Sequence, residues 1–225
     1  MKPSTYDGRM TVGEAQAAYL VNNGFDAPDA PWVTLPVGPF TIKFPNTPAR
    51  IRAVWLHDLH HVAAEYATDW TGEGEIGAFE IGAGCAHHRS AWALNFGVFG
   101  VGVLIAPRRT WQAFVRGRHA TSLYVLEGEF HPRLLEGRVS ELRARLGLDR
   151  APPPPTTSDR AAYAAWLGLM AVATVALPVT AIVYGYCLWS NPPRRPAAPG
   201  GRTVADRRAH AAHVPVRVLP RHPRR

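Results

Sequence analysis

Apolar residues run along this chain in helical and β-type patterns, separated by proline- and glycine-rich breaks. Residues 12–23 are mildly apolar and follow Thr11, which predicts a short helix. Val33-Thr34-Leu35 and Phe40-Thr41-Ile42-Lys43-Phe44 flank Pro36-Val37-Gly38-Pro39. Two β-prone runs around such a turn predict a small hairpin. Asn46-Thr47-Pro48 sets a polar cap before a proline and predicts a helix from about Ala49 to about Ala67. Thr68 to Gly72 reads as a turn, with Thr71 capping a second helix from Gly72 towards Gly84. Glu73 and Glu75 fall in its first turn, where acids suit the helix dipole.

Ala91 to Ala106 is apolar and carries Gly97, Gly100 and Gly102. At ~1.5 Å per residue it is short for a bilayer core of about 30 Å. It reads as a buried core helix or as two pieces broken at glycine, and, functionally, as a wall for a lipid tail. Thr110 to Arg118 and Leu134 to Leu146 predict two more helices, the second from Leu134, Leu135, Val139, Leu142 and Leu146. Ala151 to Asp159 is a semi-rigid proline-rich linker. Ala161 to Trp189 contains no charge, and aromatic residues mark both ends. That pattern predicts one transmembrane helix, with Pro178 as a kink point.

The expected fold class is mainly α: a helical domain with a small N-terminal β-hairpin, a Pro-rich linker and one C-terminal transmembrane helix. The expected boundaries are an extension over 1–48, a helical metal-binding domain over 49–150, a linker over 151–160, the span over 161–189 and a basic disordered tail over 190–225.

Composition refines this picture at two points. The hydrophobic fraction of 47% and charged fraction of 19% suit a folded chain. The net charge of +8 suggests nucleic acid until its location is read. From Asn191 onward there are nine Arg, no Lys and one acid, Asp206, so the rest of the chain is neutral. A basic tail beside a hydrophobic segment points to anionic lipid headgroups, and no nucleic-acid partner is expected. The two cysteines, Cys85 and Cys187, make no disulfide framework, and the N-terminus carries no apolar leader. The positive-inside rule puts the Arg-rich tail in the cytoplasm, which would place the domain outside. The missing leader and Arg143, Arg145, Arg150 and Arg160 before the span argue the other way. The expectation is a single-pass protein of a bacterial inner membrane with a cytoplasmic domain.

The chemistry concentrates in Leu56-His57-Asp58-Leu59-His60-His61-Val62. On a helix His57 and His61 share a face, and Asp58 borders it. Glu73, eleven intervening residues after His61, returns on the next helix as a fourth ligand. Two imidazoles and two carboxylates suit Zn²⁺, Fe²⁺ or Mn²⁺ better than Ca²⁺ or Mg²⁺. Gly77 and Glu80 share the Glu73 face, so the glycine leaves room for substrate. Glu80 either orients a ligand histidine, serves as an acid/base, or simply pairs with a nearby Arg. His60 points off the metal face, and His87 and His88 read as a solvated turn. A metalloprotease would need Glu at position 58 as general base. HD-type phosphohydrolases would need further His and Asp ligands on other helices.

His57-Asp58-Leu59-His60-His61, eleven residues and Glu73 resemble the HDxxH-(eleven)-E signature of the coenzyme Q biosynthesis protein four family. Thr68, Gly72-Glu73, Ile76 and Ala78-Phe79-Glu80 are similar to its "T…GE…AFE" run. Trp111 to Arg118, Leu134-Leu135 and Glu141 to Gly147 resemble its "W…RGR…LL…LRxxLG" ending. The similarity spans roughly Ala49 to Leu148. It implies an all-helical fold, a bound divalent metal for which zinc is the usual assignment, and His57, Asp58, His61 and Glu73 as ligands. It also implies a groove for a polyprenyl lipid or quinone precursor. The implied role lies in ubiquinone biosynthesis, in oxidative decarboxylation at ring carbon one or in organising the other biosynthetic enzymes. The hairpin, the added span and Ala63-Ala64-Glu65 in place of the family's Leu-Thr-Gly point to a divergent bacterial-type relative. Two other classes remain open: a metal-dependent hydrolase of a membrane lipid or phosphoester, and a non-catalytic lipid-binding scaffold.

Overall fold

The computed structural model describes residues 5–24, 31–37 and 40–190. The chain is mainly helical. Its elements in order are α1 (Val12–Asn23), β1 (Trp32–Val37), β2 (Phe40–Pro45), α2 (Pro48–Ala64), α3 (Trp70–Ala83), α4 (Arg89–Ile105), α5 (Pro107–Arg118), the short α6 (Leu123–Leu126), a 3₁₀ turn (Pro132–Leu135), α7 (Val139–Leu146) and α8 (Thr157–Ser190).

Local chemistry explains most of these bounds. Thr11 caps α1: its hydroxyl accepts from the Glu14 N–H, and the Glu14 carboxylate accepts from the Thr11 N–H at 2.8 Å. β1 and β2 pair antiparallel, with Val37 opposite Phe40 and Trp32 opposite Pro45. Thr47 caps α2 behind Pro48. α3 departs from the expected start. Its cap is Asp69, whose Oδ1 accepts from the Gly72 N–H at 2.7 Å, so Trp70 and Thr71 are already helical. Glu73 stays in the first turn, but Glu75 lies beyond it.

The expected helix over 134–146 is two pieces. The Gly137 carbonyl accepts from the Val12 N–H at 2.8 Å, and the Arg138 N–H is taken by the Glu141 carboxylate at 3.0 Å. These bonds hold Arg138 extended beside Thr11 and start α7 afresh at Val139. The 91–106 stretch forms the unbroken α4. It buries Ala91, Asn95, Phe99 and Gly102, while Leu94, Leu104 and Ile105 are exposed. It is therefore half-buried rather than a core helix buried all round.

α3 lies between α4 and α5 at backbone contact distance. A Cβ on Gly102 would come within 2.7 Å of the Gly74 Cα, and one on Gly82 within 2.5 Å of the Phe114 carbonyl oxygen. The main core joins Leu56 and Leu59 of α2, Ile76 and Phe79 of α3, Phe99, Phe114, Tyr124 and Leu146. Each such fully buried side chain contributes about 1.5–3 kcal/mol over its exposed state. A second cluster of Tyr6, Ala15, Tyr19, Val62 and Val139 ties α1 to α2 and α7.

One compact unit spans Met1–Thr174, so it takes in the N-terminal segment, the proline-rich segment and the first half of α8. Trp166 stacks on Trp92 at 5.6 Å, and Tyr163 meets Trp111 edge-on at 4.9 Å. The buried Asp159 carboxylate accepts from the Thr156 N–H at 2.8 Å, His119 Nε2 at 3.0 Å and Arg118 Nε at 3.3 Å. Burial opposes its ionisation, yet the Thr156 bonds and these two donors hold the carboxyl well below its usual range. The second unit is Val175–Arg225, of which Val175–Ser190 continue α8. Among the described residues, no helix is long and apolar enough to cross a membrane. Most side chains of the expected span beyond Ala176, and the tail from Asn191, lie outside the described residues.

Candidate metal centre

The capped, straight α2 puts His57 and His61 four residues apart on one face. Their Nε2 atoms lie 3.1 Å from each other. Asp69 starts α3 so that Glu73 swings into the same space. Its Oε2 lies 3.7 Å from His57 Nε2, and its Oε1 lies 3.5 Å from His61 Nε2. Ligands about 2.1 Å from a tetrahedral ion stand about 3.4 Å from one another. The three contacts bracket that value.

The far side of each imidazole is already committed. His57 Nδ1 donates to Glu80 Oε1 at 3.0 Å, and His61 Nδ1 donates to the Tyr66 carbonyl at 3.0 Å. A carbonyl only accepts, so His61 carries its proton on Nδ1 and offers a lone pair from Nε2. Glu80 sets His57 the same way. Two Nε2 lone pairs aimed at each other at this distance repel unless a proton or a metal ion lies between them.

The electrostatics agree. Burial alone would depress His57, but the carboxylates of Glu80 and Glu73 hold it well above its ordinary value. Burial and then the neighbouring His57 charge push His61 down to about 4. Glu73 remains below its usual range despite burial, through its contacts to His57 and His61. The site thus favours one positive charge between the imidazoles.

His57 and Glu73 are each partly exposed, while His61 and Glu80 are buried. Tyr19 of α1 stacks on His61 at 5.5 Å. The chain turns at Glu65, whose φ of 62° lies in the left-handed region. The Glu65 carboxylate accepts from Arg143 Nη2 and the Thr5 N–H, both at 2.9 Å. That fixed reversal aims the Tyr66 carbonyl at His61.

Three of the four expected ligands therefore converge, His57, His61 and Glu73, and Asp58 does not join them. Asp58 directly follows His57, about 100° further round α2. It is half-buried, and burial first, then the Glu73 charge, raises its carboxyl to about 6 against the opposing His57 and Arg50 charges. Gly77 leaves no room for substrate: a Cβ there would meet Val98 Cγ2 at 2.5 Å and the Asn95 carbonyl at 3.0 Å. Glu80 is fully buried, so it orients His57 and is closed to substrate as an acid/base. Its Oε2 accepts from Tyr124 OH at 3.1 Å and from the Asn95 side-chain amide. His60, the second donor to Glu80 Oε1, turns its Nε2 to the Leu123 N–H, away from the triad. His88 is buried with its Nε2 on the Gly128 carbonyl, and His87 stacks on it in the open.

Sequence reasoning missed Asn95, Tyr124 and Tyr19. Only Asn95 left a signal, as the one amide in the apolar run from Ala91 to Ala106. No family model, curated protein or solved structure matches the chain.

Proposed function

We propose that this chain is a divalent-metal protein of ubiquinone or isoprenoid-quinone biosynthesis, acting on a polyprenyl ring precursor at the His57–His61–Glu73 centre. One observation carries the metal: two imidazole Nε2 atoms and a carboxylate face one another at ligand spacing, with both Nδ1 positions taken by acceptors. Three protein ligands leave a coordination position for substrate, the pattern of catalytic rather than structural zinc. Two His and one carboxylate also suit Fe²⁺, so Zn²⁺ and Fe²⁺ head the candidates, with Mn²⁺ third.

The substrate side of the proposal rests on the sequence resemblance. The reaction class is oxidative decarboxylation at the precursor ring, in which the ring–carboxyl bond breaks with loss of carbon dioxide and dioxygen, as co-substrate, is the oxidant and the source of the new ring oxygen; organisation of the other quinone-forming enzymes is its non-catalytic counterpart. A bound metal would supply Lewis-acid polarisation of a ring carboxylate or phenolate. The chain's own residues do the rest. His57 and His61 present lone pairs, Glu73 brings negative charge, and Glu80 and the Tyr66 carbonyl fix the tautomers. The uncharged sequence from Ala161 to Trp189, whose side chains after Ala176 lie mostly outside the described residues, is the proposed single-pass anchor in a bacterial inner membrane, with the domain on the cytoplasmic side. It would let the centre meet a lipid substrate in two dimensions. A two-His, one-Glu centre is also a hydrolase ligand set, which makes a lipid or phosphoester hydrolase the second reading.

The test pairs two measurements. Full-length protein purified in detergent without chelators should hold about one metal per chain, lost in His61→Ala. A deletion strain should accumulate a ring-carboxylated polyprenyl precursor and regain quinone with the wild-type gene but not with His61→Ala. Metal-free wild type refutes the centre. A normal quinone profile refutes the pathway and leaves the hydrolase.

A further inference from the structure

His60 lies between the two ligand histidines in sequence, yet its ring is fully buried and shares only the Glu80 Oε1 acceptor with His57. Its Nε2 is 2.8 Å from the backbone N–H of Leu123, which can only donate. Nε2 must therefore accept, and the ring proton resides on Nδ1. That N–H donates to Glu80 Oε1 at 2.7 Å, the same oxygen that receives His57 Nδ1 at 3.0 Å. Oε2 receives Tyr124 OH at 3.1 Å and the Asn95 amide. An ionised carboxylate offers about four lone-pair sites. Here four donors from α2, α4 and α6 face them, with the Tyr124 hydroxyl also 3.2 Å from the Ala53 carbonyl.

We propose that His60 is a positioning residue of the metal centre, acting through Glu80 to fix the orientation and tautomer of His57. The inference rests on the metal reading above and adds a residue that touches no ligand atom. The Leu123 amide fixes the tautomer of His60. His60 fixes Glu80 Oε1, and Glu80 fixes His57. Without the His60 N–H, one side of Oε1 is unfilled in a dry pocket. The carboxylate can then rotate about its last bond, and His57 loses a fixed acceptor. Outer partners of this kind set metal affinity by about 10- to 100-fold in comparable centres.

An ordinary core histidine would also be buried and bonded, so the test separates the two bonds of the ring. In His60→Asn the side-chain amide reaches the place of Nδ1, keeping the donor to Glu80 and losing the acceptor for Leu123. In His60→Gln the amide reaches the place of Nε2, serving Leu123 and losing Glu80. Full-length wild type and both variants are loaded with Zn²⁺ against a chromophoric chelator. They are also loaded with Co²⁺ for its ligand-field absorption, and their thermal midpoints are recorded.

The expected result is a loss of about 10-fold or more in Zn²⁺ affinity for His60→Gln, with a changed Co²⁺ spectrum. His60→Asn should lose less than about 10-fold and keep the spectrum. Equal affinities for the two variants, or affinities that track their thermal midpoints, overturn the inference while the metal centre stands. Wild type that binds neither ion overturns the centre itself.

Discussion

Replacing Gly82 by alanine tests whether α3 is seated by backbone contact. The added Cβ would lie 2.5 Å from the Phe114 carbonyl oxygen and 3.0 Å from the Arg118 nitrogen. Ordinary contact for carbon needs about 3.5 Å, so α5 must retreat by roughly 1 Å along that line. Backbone atoms of a packed helix cannot rotate aside as a side chain would. Overpacking of this kind costs about 1–3 kcal/mol, against a gain of up to about 1 kcal/mol from alanine's better helix propensity. The net loss should be about 1–2 kcal/mol, or a fall of about 2–8 °C in melting temperature for a chain of this size. Gly97→Ala is the matched control: nothing lies within 4 Å of a Cβ there. It should stabilise by about 0.5–1 kcal/mol. Thermal melts of both variants in one detergent, followed by circular dichroism, make the comparison. If Gly82→Ala melts at or above wild type, the close approach of α3 and α5 is wrong, and with it the seating of Glu80.

Other perturbations reach different parts of the molecule. Arg109→Ala strips the Glu75 carboxylate of its two-pronged partner, with bonds of 2.8 and 2.6 Å, and, because the Arg109 side chain is largely exposed, should cost about 1 kcal/mol in urea unfolding. Arg109→Lys should recover little of it, because an ammonium cannot make both bonds; full recovery would show that only the charge matters. Asp159→Ala removes a cap and the acceptor for Arg118 and His119, so limited proteolysis should cut the 151–156 segment faster and stability should fall by about 1–2 kcal/mol. Metal loading should release about one proton near neutrality, because His57 is held protonated in the metal-free site and must lose that proton to bind. Affinity should therefore rise with pH below the raised His57 value, and calorimetry in buffers of different ionisation enthalpy should report the release; a pH-independent affinity sinks this account. Asp58→Asn should keep metal binding that Glu73→Gln loses, since only Glu73 stands with the histidines; equal losses would make Asp58 a fourth ligand.

The parts of this fold that could be read locally are those built from neighbours in sequence. The Thr11 and Thr47 caps, the antiparallel pairing of β1 with β2 and the i, i+4 pair His57 and His61 all follow from spacing within a few residues. The start of α3 was ambiguous because Asp69 and Thr71 can both cap, and the aspartate wins by reaching the Gly72 N–H. The break after Leu135 was hidden because its cause lies in α1, over a hundred residues away. Gly77 looked like an opening until α4 filled it. The support of the centre was least legible, since Tyr124 and Asn95 meet Glu80 across 44 and 15 residues.

The left-handed turn at Glu65 has a consequence for the order in which the protein can mature. The three ligands lie within residues 57–73, so a growing chain carries all of them early. The carbonyl that sets the His61 tautomer, however, is aimed by Glu65, and Glu65 is gripped by Arg143 and by the backbone of Thr5. The remaining supports come from residues 80, 95 and 123–124. A nascent chain therefore displays the candidate ligand side chains well before it has the framework that holds them in place. On the proposed metal reading, the geometry that would discriminate between ions forms only once Arg143 of α7 and Thr5 have closed on Glu65.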